Sequence, residues 1–267
     1  LDGDVNEGAS MNAKITLLAH DLERGEVGAA PSKSTLPSPR SAPKWRPFIS
    51  SKPPGSPMGG SMGEVGGDIY DITELSADRC RFFLADATGH GVQAVLVTML
   101  IKSEYEKLKN DRGMPSEILS RLNDVFFRSY RSLKIFFTGI IIDFDVKKRR
   151  FTYSSAGHPD QYLLHDGTVI ELPNTGRAVS LHHTLDITNR TMKLGPGDRL
   201  LIFTDGIFEE FSCSQEQLGE ERIREVVEAS MGARTADMIG AIIRRINEHT
   251  RDSQISDDIT IIGVEPE

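Results

Sequence analysis

Downstream of residue 64 the apolar positions come in short runs separated by turn residues; upstream of it they are sparse and weakly patterned. Two such runs, residues 69–75 and 79–86, predict a pair of strands joined by the polar turn Ser76-Ala77-Asp78. A helical run follows over 92–109. A second, over 115–131, opens on Pro115 and places Ile118, Leu119, Leu122, Val125 and Phe126 on one face, the spacing of an amphipathic helix. Strand-like runs occupy 136–146, 149–155, 161–164, 168–172, 184–194 and 199–203, with His165-Asp166-Gly167 as a hairpin turn. Helical patterns at 220–229 and 235–250 precede a closing buried strand at 259–264. Strands and helices in blocks, without strict βαβ alternation, predict a layered α+β domain.

Residues 31–60 interrupt this texture. They carry eight of the 13 prolines and no acidic residue. Repeated prolines remove backbone donors, so the stretch is predicted to be a linker or extended arm without a regular helix or a central strand. Its cations Lys33, Arg40, Lys44, Arg46 and Lys52 suit a solvated tether, whereas Trp45 and Phe48 are aromatics expected to dock. Ile15, Leu18 and Leu22 give residues 11–23 a weak helical pattern. The organisation expected is therefore a largely irregular arm over 1–60 and a folded domain over 61–267.

Composition narrows the function classes. The chain has 267 residues and 31 Lys+Arg against 39 Asp+Glu, a formal net charge of −8, which argues against a dedicated nucleic-acid binder. No run approaches the ~20 apolar residues of a membrane span, so no direct membrane contact is expected from this segment, and no signal peptide is recognisable. Two cysteines, Cys80 and Cys213, cannot form a disulfide framework and suggest a reducing, cytoplasmic setting. Cys80 lies within a strand pattern and reads as a small packed hydrophobe. The first residue is Leu1 rather than Met, the expectation for a piece of a longer protein.

The chemistry lies in where the acids fall. Asp68 follows Gly66-Gly67 at a strand start; Asp86 ends the run Phe82-Phe83-Leu84-Ala85; Asp205 ends Leu200-Leu201-Ile202-Phe203-Thr204; and Asp257-Asp258 directly precedes Ile259-Thr260-Ile261-Ile262. A carboxylate at a strand end projects above the sheet edge, and adjacent glycines let backbone groups approach it. Several such ends drawn together would repel one another unless cations were bound, and an all-oxygen set suits Mg²⁺ or Mn²⁺ better than Zn²⁺. Taken singly, each has a plain alternative: Asp205-Gly206 is an ordinary turn, and Asp257-Asp258 an ordinary loop charge pair.

Six motifs occur in order: Val65-Gly66-Gly67-Asp68-Ile69-Tyr70-Asp71, Ala85-Asp86-Ala87-Thr88-Gly89-His90-Gly91, Phe137-Thr138-Gly139, Ala156-Gly157-His158-Pro159, Thr204-Asp205-Gly206 and Ser256-Asp257-Asp258-Ile259-Thr260. In these the chain resembles the bacterial PPM/PP2C-type serine phosphatases of the SpoIIE/RsbU group, over about residues 62–265. The resemblance implies a β-sandwich flanked by helices on both sides, a four-layer αββα arrangement with a two-ion Mn²⁺ or Mg²⁺ site at one end. It implies that Asp86 bridges the ions with the Ala87 carbonyl beside it, that Asp68 binds one ion, and that Asp205 and Asp257 bind the other, Asp258 being the alternative to Asp257. His90 is the candidate acid for the leaving serine, or a brace for its turn. His158 is read as structural, and His182-His183 as exposed loop. Arg177 is a candidate phosphate contact or a plain loop cation, in a segment, residues 176–181, that departs from the family pattern.

The implied activity is hydrolysis of phosphoserine or phosphothreonine on a regulatory protein, an anti-sigma-factor antagonist, by two-metal activation of water. An upstream sensor region of the same chain, with the full-length protein membrane-tethered, completes the picture. The alternative is a catalytically silent phosphatase-fold module that binds a partner. A small-molecule phosphoesterase ranks below both, since no glycine-rich phosphate loop is present.

Overall fold

The computed structural model describes residues 15–16, 45–46, 48–52, 67–89, 92–250 and 257–265. Twelve strands and four α-helices run in the order β1 (Ile15–Thr16), β2 (Trp45–Arg46), β3 (Phe48–Lys52), β4 (Asp68–Ser76), β5 (Arg79–Ala87), α1 (Val92–Leu108), α2 (Pro115–Ser129), β6 (Phe137–Asp145), β7 (Arg150–Ala156), β8 (Gln161–His165), β9 (Thr168–Leu172), β10 (Arg190–Lys193), β11 (Arg199–Phe203), α3 (Glu220–Ala229), α4 (Thr235–His249) and β12 (Ile259–Val264). Ten strands form two five-stranded antiparallel sheets, ordered β10-β7-β6-β5-β4 and β3-β12-β11-β8-β9. Helices α1 and α2 cover the first sheet, α3 and α4 the second, which makes the four layers.

Period-two patterning explains why both sheets are covered on both faces. Along β5, Phe82 and Leu84 enter the core between the sheets while Phe83, Ala85 and Ala87 face the α1/α2 layer. Along β11, Leu200 and Ile202 face inward and Leu201 and Phe203 face α3 and α4; Ile262 and Val264 of β12 divide from Ile259 and Ile261 in the same way. Cys80 is buried in the inter-sheet core, as its position within a strand suggested. Among the described residues no helix is long and apolar enough to cross a membrane.

Two elements depart from expectation. Only Arg190–Lys193 of the run 184–194 joins a sheet, because Leu185 and Ile187 instead pack into the α1/α2 layer. Ile15–Thr16, within the weak helical pattern, is a strand paired in parallel with Trp45–Arg46, as suits two adjacent β-branched residues. The other residues of that pattern lie outside those described, as do residues 31–44 and 53–66 of the arm and its junction. Phe48–Lys52 pairs with β12 as an edge strand, the sheet position that a proline-flanked segment tolerates.

One buried charge ties the layers together. Arg81, fully buried on β5, donates from Nε and Nη2 to the two carboxylate oxygens of Asp143 on β6, at 2.6 and 2.7 Å. Its remaining donors reach the carbonyls of Asp111 and Gly113 at 2.9 and 2.7 Å, in the α1–α2 connection. A single guanidinium thereby fixes the helical hairpin to the middle of its sheet.

Candidate metal centre

Strand directions gather the singled-out aspartates at one end of the sandwich. β4 begins and β5 ends there, so Asp68 and Asp86 face each other in register. β11 ends and β12 begins at the same end of the other sheet, where Thr204 donates its N–H to the Thr260 carbonyl at 3.1 Å. Asp205 follows in a short 3-10 turn, Asp205–Ile207, and Asp257-Asp258 leads into β12. Glycine is required at position 206: a Cβ there would overlap the carbonyl oxygen of Asp258, so its absence lets the two acidic segments lie side by side. Gly67 forms the floor, where a Cβ would sit 3.2 Å from the Ala87 carbonyl oxygen and 3.4 Å from both Asp86 Oδ1 and Asp258 Oδ2.

The sandwich is braced across this end by Asp68. Its Oδ2 accepts hydrogen bonds from the hydroxyls of Thr204 and Thr260, each at 2.7 Å, so a carboxylate from one sheet is held by β12 and by the residue that follows β11 in the other. Gly67 donates its N–H to Asp258 Oδ2, and its carbonyl accepts from Ala87 N at 3.1 Å and from the Thr98 hydroxyl of α1 at 2.9 Å. The acidic pair divides its labour. Asp258 is buried and engaged with Gly67, whereas Asp257, among the described residues, accepts the Asp258 N–H at 2.8 Å and directs its charge toward Asp205, Asp86 and Glu209.

Electrostatics mark the cluster as one site. Burial, then the charges of Asp205, Asp257, Asp258 and Glu209, pushes Asp86 up to about 8. Burial, then Asp257 and Glu209, pushes Asp205 up to about 6. Asp68 is raised well above the usual carboxylate range by burial and then by Asp86, against the lowering effect of its two hydroxyl donors. Among the described residues no lysine or arginine forms an ion pair with any of them. Nor, among those residues, are three potential ligands already closed around one point. An oxygen-only set whose members repel one another fits hard divalent cations, which would supply the missing positive charge.

Two consequences follow from this geometry. In the unfolded chain a carboxyl such as Asp86 titrates near 4, whereas in the folded one burial and neighbours hold it at about 8. Between those values the folded state carries the extra proton, so the metal-free protein loses stability as pH rises through this range. Melting curves without divalent cations should shift downward by several degrees between about pH 5 and pH 8, and Mn²⁺ should reverse the shift. A flat or rising metal-free curve would contradict this. Separately, Thr260→Val removes one donor to Asp68 while leaving the Thr204 hydroxyl, which also accepts the Thr260 N–H at 3.0 Å, in place. The expected result is a roughly 10–100-fold weaker Mn²⁺ Kd by calorimetry; unchanged affinity would show that the hydroxyl does not orient the carboxylate.

His158 is buried, its Nδ1 2.9 Å from the Thr138 hydroxyl, and burial pushes it down to about 3, so the ring is neutral and structural. Thr138 pairs with Asp86 across β5 and β6, so the histidine braces the strand beside the site. Arg177 is exposed, and His182 and His183 are exposed in their loop. His90 lies outside the described residues, as do Gly66, Gly91 and Ser256. Sequence reading did not single out Glu209, whose charge bears on Asp86 and Asp205, or the hydroxyls of Thr204 and Thr260. Glu209 has a local signal, four residues after Asp205 with its N–H donated to the Asp205 carbonyl at 2.9 Å. The threonines each lie in one of the ordered motifs, but their joint hold on Asp68 had no local signal, since they are 56 residues apart and meet only across the strands.

Comparison with known proteins agrees with this architecture. The family profile of Stage II sporulation protein E (SpoIIE) matches residues 76–267. The phosphoserine phosphatase RsbU of Bacillus subtilis is 27% identical over 203 residues, covering 74% of this chain and 59% of that protein, so the chain spans somewhat more than half of that relative. Among solved structures, the SiaA-PP2C domain of Pseudomonas aeruginosa superposes with a TM-score of 0.68 at 24% identity, covering 82% of this chain and 85% of that one. RsbX in complex with magnesium superposes with a TM-score of 0.58 at 18% identity, covering 82% and 94%. The fold is therefore PP2C-like.

Proposed function

The chain belongs to the SpoIIE family, and from that membership we propose that it is a metal-dependent protein serine/threonine phosphatase. Its substrate in this reading is phosphoserine or phosphothreonine on a regulatory protein, an anti-sigma-factor antagonist. The name of its relative RsbU, a phosphoserine phosphatase, supports the reaction class. The observation that carries the proposal is the convergence of Asp68, Asp86, Asp205 and Asp257 from both sheets onto one end of the sandwich, with no cationic partner among the described residues.

In this reading Asp68, Asp86, the Ala87 carbonyl, Asp205 and Asp257 hold two Mn²⁺ or Mg²⁺ ions. Such ions, when bound, supply Lewis acidity and a water that is acidic near neutral pH. The chain's own contribution is to place the donors. Thr204 and Thr260 orient Asp68, the β4–β5 register sets Asp86 opposite it, and Asp258 pins the Gly67 turn. Partial burial of the carboxylates strengthens each charge interaction. The departing serine oxygen needs a proton; in this reading the resemblance gives that role to His90, and His158, held neutral in the brace beneath the site, does not supply it.

The decisive assay is release of inorganic phosphate from a phosphoserine protein with Mn²⁺, and with EDTA added. Turnover that depends on Mn²⁺ and stops with EDTA is expected. Calorimetric Mn²⁺ binding without hydrolysis of any phosphoprotein would favour a silent partner-binding module instead.

A further inference from the structure

A pocket of about 610 Å³ opens beside the carboxylate end, between the end of α2, the segment leading into β6 and the loop at 180–183. Its basic groups are Arg131, Lys134, His182 and His183, and no acidic side chain lines it, in a chain whose net charge is −8. Among the described residues neither Arg131 nor Lys134 has an ion-pair partner. Its apolar rim is unusually open: Phe136 is 40% and Leu181 50% exposed, with Leu133 alongside at 56%. Large exposed hydrophobics grouped beside unpaired cations mark an interaction surface.

The walls are pre-formed. Asn123 of α2, itself buried, accepts the Ser180 N–H at 2.8 Å and donates to the carbonyls of His182 and His183 at 3.2 and 3.1 Å. Lys134 and Ser180 adopt left-handed backbone conformations, φ 51° and 68°, that set the turns of the two walls. The Arg131 guanidinium lies 4.9 Å over the Phe127 ring, which also receives His183 edge-on. The pocket adjoins the candidate metal centre through the start of β6. The Thr88 hydroxyl donates to the Phe136 carbonyl at 2.7 Å, and the next residues, Phe137 and Thr138, pair with Ala87 and Asp86. At roughly 3.3 Å per residue, Phe136 stands about 7 Å along the strand from the level of Asp86, the reach of two or three residues of extended peptide.

We propose that this pocket docks the segment flanking the phosphorylated residue of the protein substrate. It selects acidic side chains beside an apolar one, two to three residues from the phosphoserine. The inference rests on the phosphatase reading above and specifies its substrate. Charge complementarity supports this occupant: the cations face an acidic segment, whereas the chain's own arm at 31–60 carries five cations and no acid and would be repelled.

The test uses two phosphoserine peptides that differ only in carrying Asp-Asp-Leu or Lys-Lys-Leu from the second residue after the phosphoserine. The wild-type protein with Mn²⁺ should show a kcat/KM about tenfold higher for the acidic peptide, through KM, with the ratio shrinking as salt rises. Arg131→Glu combined with Lys134→Glu should remove or invert that ratio, and Phe136→Ser should raise KM for both peptides. Fluorescence anisotropy of the labelled, unphosphorylated acidic peptide gives a readout independent of turnover, and its binding should weaken about tenfold in the double variant. Equal kcat/KM values in the wild type, or a ratio and binding that persist in the double variant, would overturn the docking assignment. Charge-dependent binding with no turnover of either peptide would sink the phosphatase reading while leaving the docking surface standing.

Discussion

Asp86→Asn is expected to abolish phosphate release, lowering kcat/KM by at least about a thousandfold, while the metal-free protein melts no lower than wild type. The loss follows from position: Asp86 is the carboxylate on which the others converge, in register with Asp68 and within the field of Asp205, Asp257 and Glu209. In the two-metal reading several kcal/mol of transition-state stabilisation would depend on cations held there, and each 1.36 kcal/mol is a tenfold change in rate. The unchanged or raised melting temperature follows from the same crowding. Burial and neighbouring charges already push Asp86 up to about 8, so a neutral amide relieves repulsion without opening a cavity. The stabilisation that Mn²⁺ confers on wild type should vanish as well. This combination separates loss of a ligand from loss of the fold. Retention of more than a tenth of wild-type activity would refute the assignment of Asp86 to the centre.

Arg81→Met should produce the largest loss of stability, about 3–5 kcal/mol, because it leaves Asp143 charged and buried with its principal partner gone. For a domain of this size that amounts to a melting temperature lower by roughly 6–20 °C. The same change strands the carbonyls of Asp111 and Gly113, so the α1–α2 connection should lose hydrogen-exchange protection ahead of the rest of the helical layer. The double variant Arg81→Met with Asp143→Leu should regain most of the loss, since an apolar pair of similar volume carries no uncompensated charge. If the double variant is no more stable than Arg81→Met, the ion pair is not what the single change disrupts.

Element order was well expressed in local pattern because each buried strand alternates between two apolar layers, as β5, β11 and β12 do. The same alternation misled at 184–194, where Leu185 and Ile187 alternate without pairing and pack under a loop held by Asn189 and Ser154. The buried arginine was not foreseen, since nothing near Arg81 in the chain signals Asp143, 62 residues away. Of the candidate centre, the aspartates stood out because glycines and strand ends flank them. That Asp258 meets the Gly67 N–H was not legible, because that contact comes from the other sheet.

The sequence by itself determined the block-wise strands and helices, the four acidic strand ends, and, through six ordered motifs, the family. Those properties are carried by neighbours along the chain: alternation, glycine freedom and charge placement act within a few residues. The tertiary structure alone decided that the four ends share one edge of the sandwich, that Thr204 and Thr260 reach across to hold Asp68, and that a basic, apolar-rimmed pocket opens beside them. These depend on strand order and on how two sheets pack face to face, which bring together residues 136 and 192 positions apart. Contacts at such separation are selected by burial of the whole core, and no local pattern encodes them.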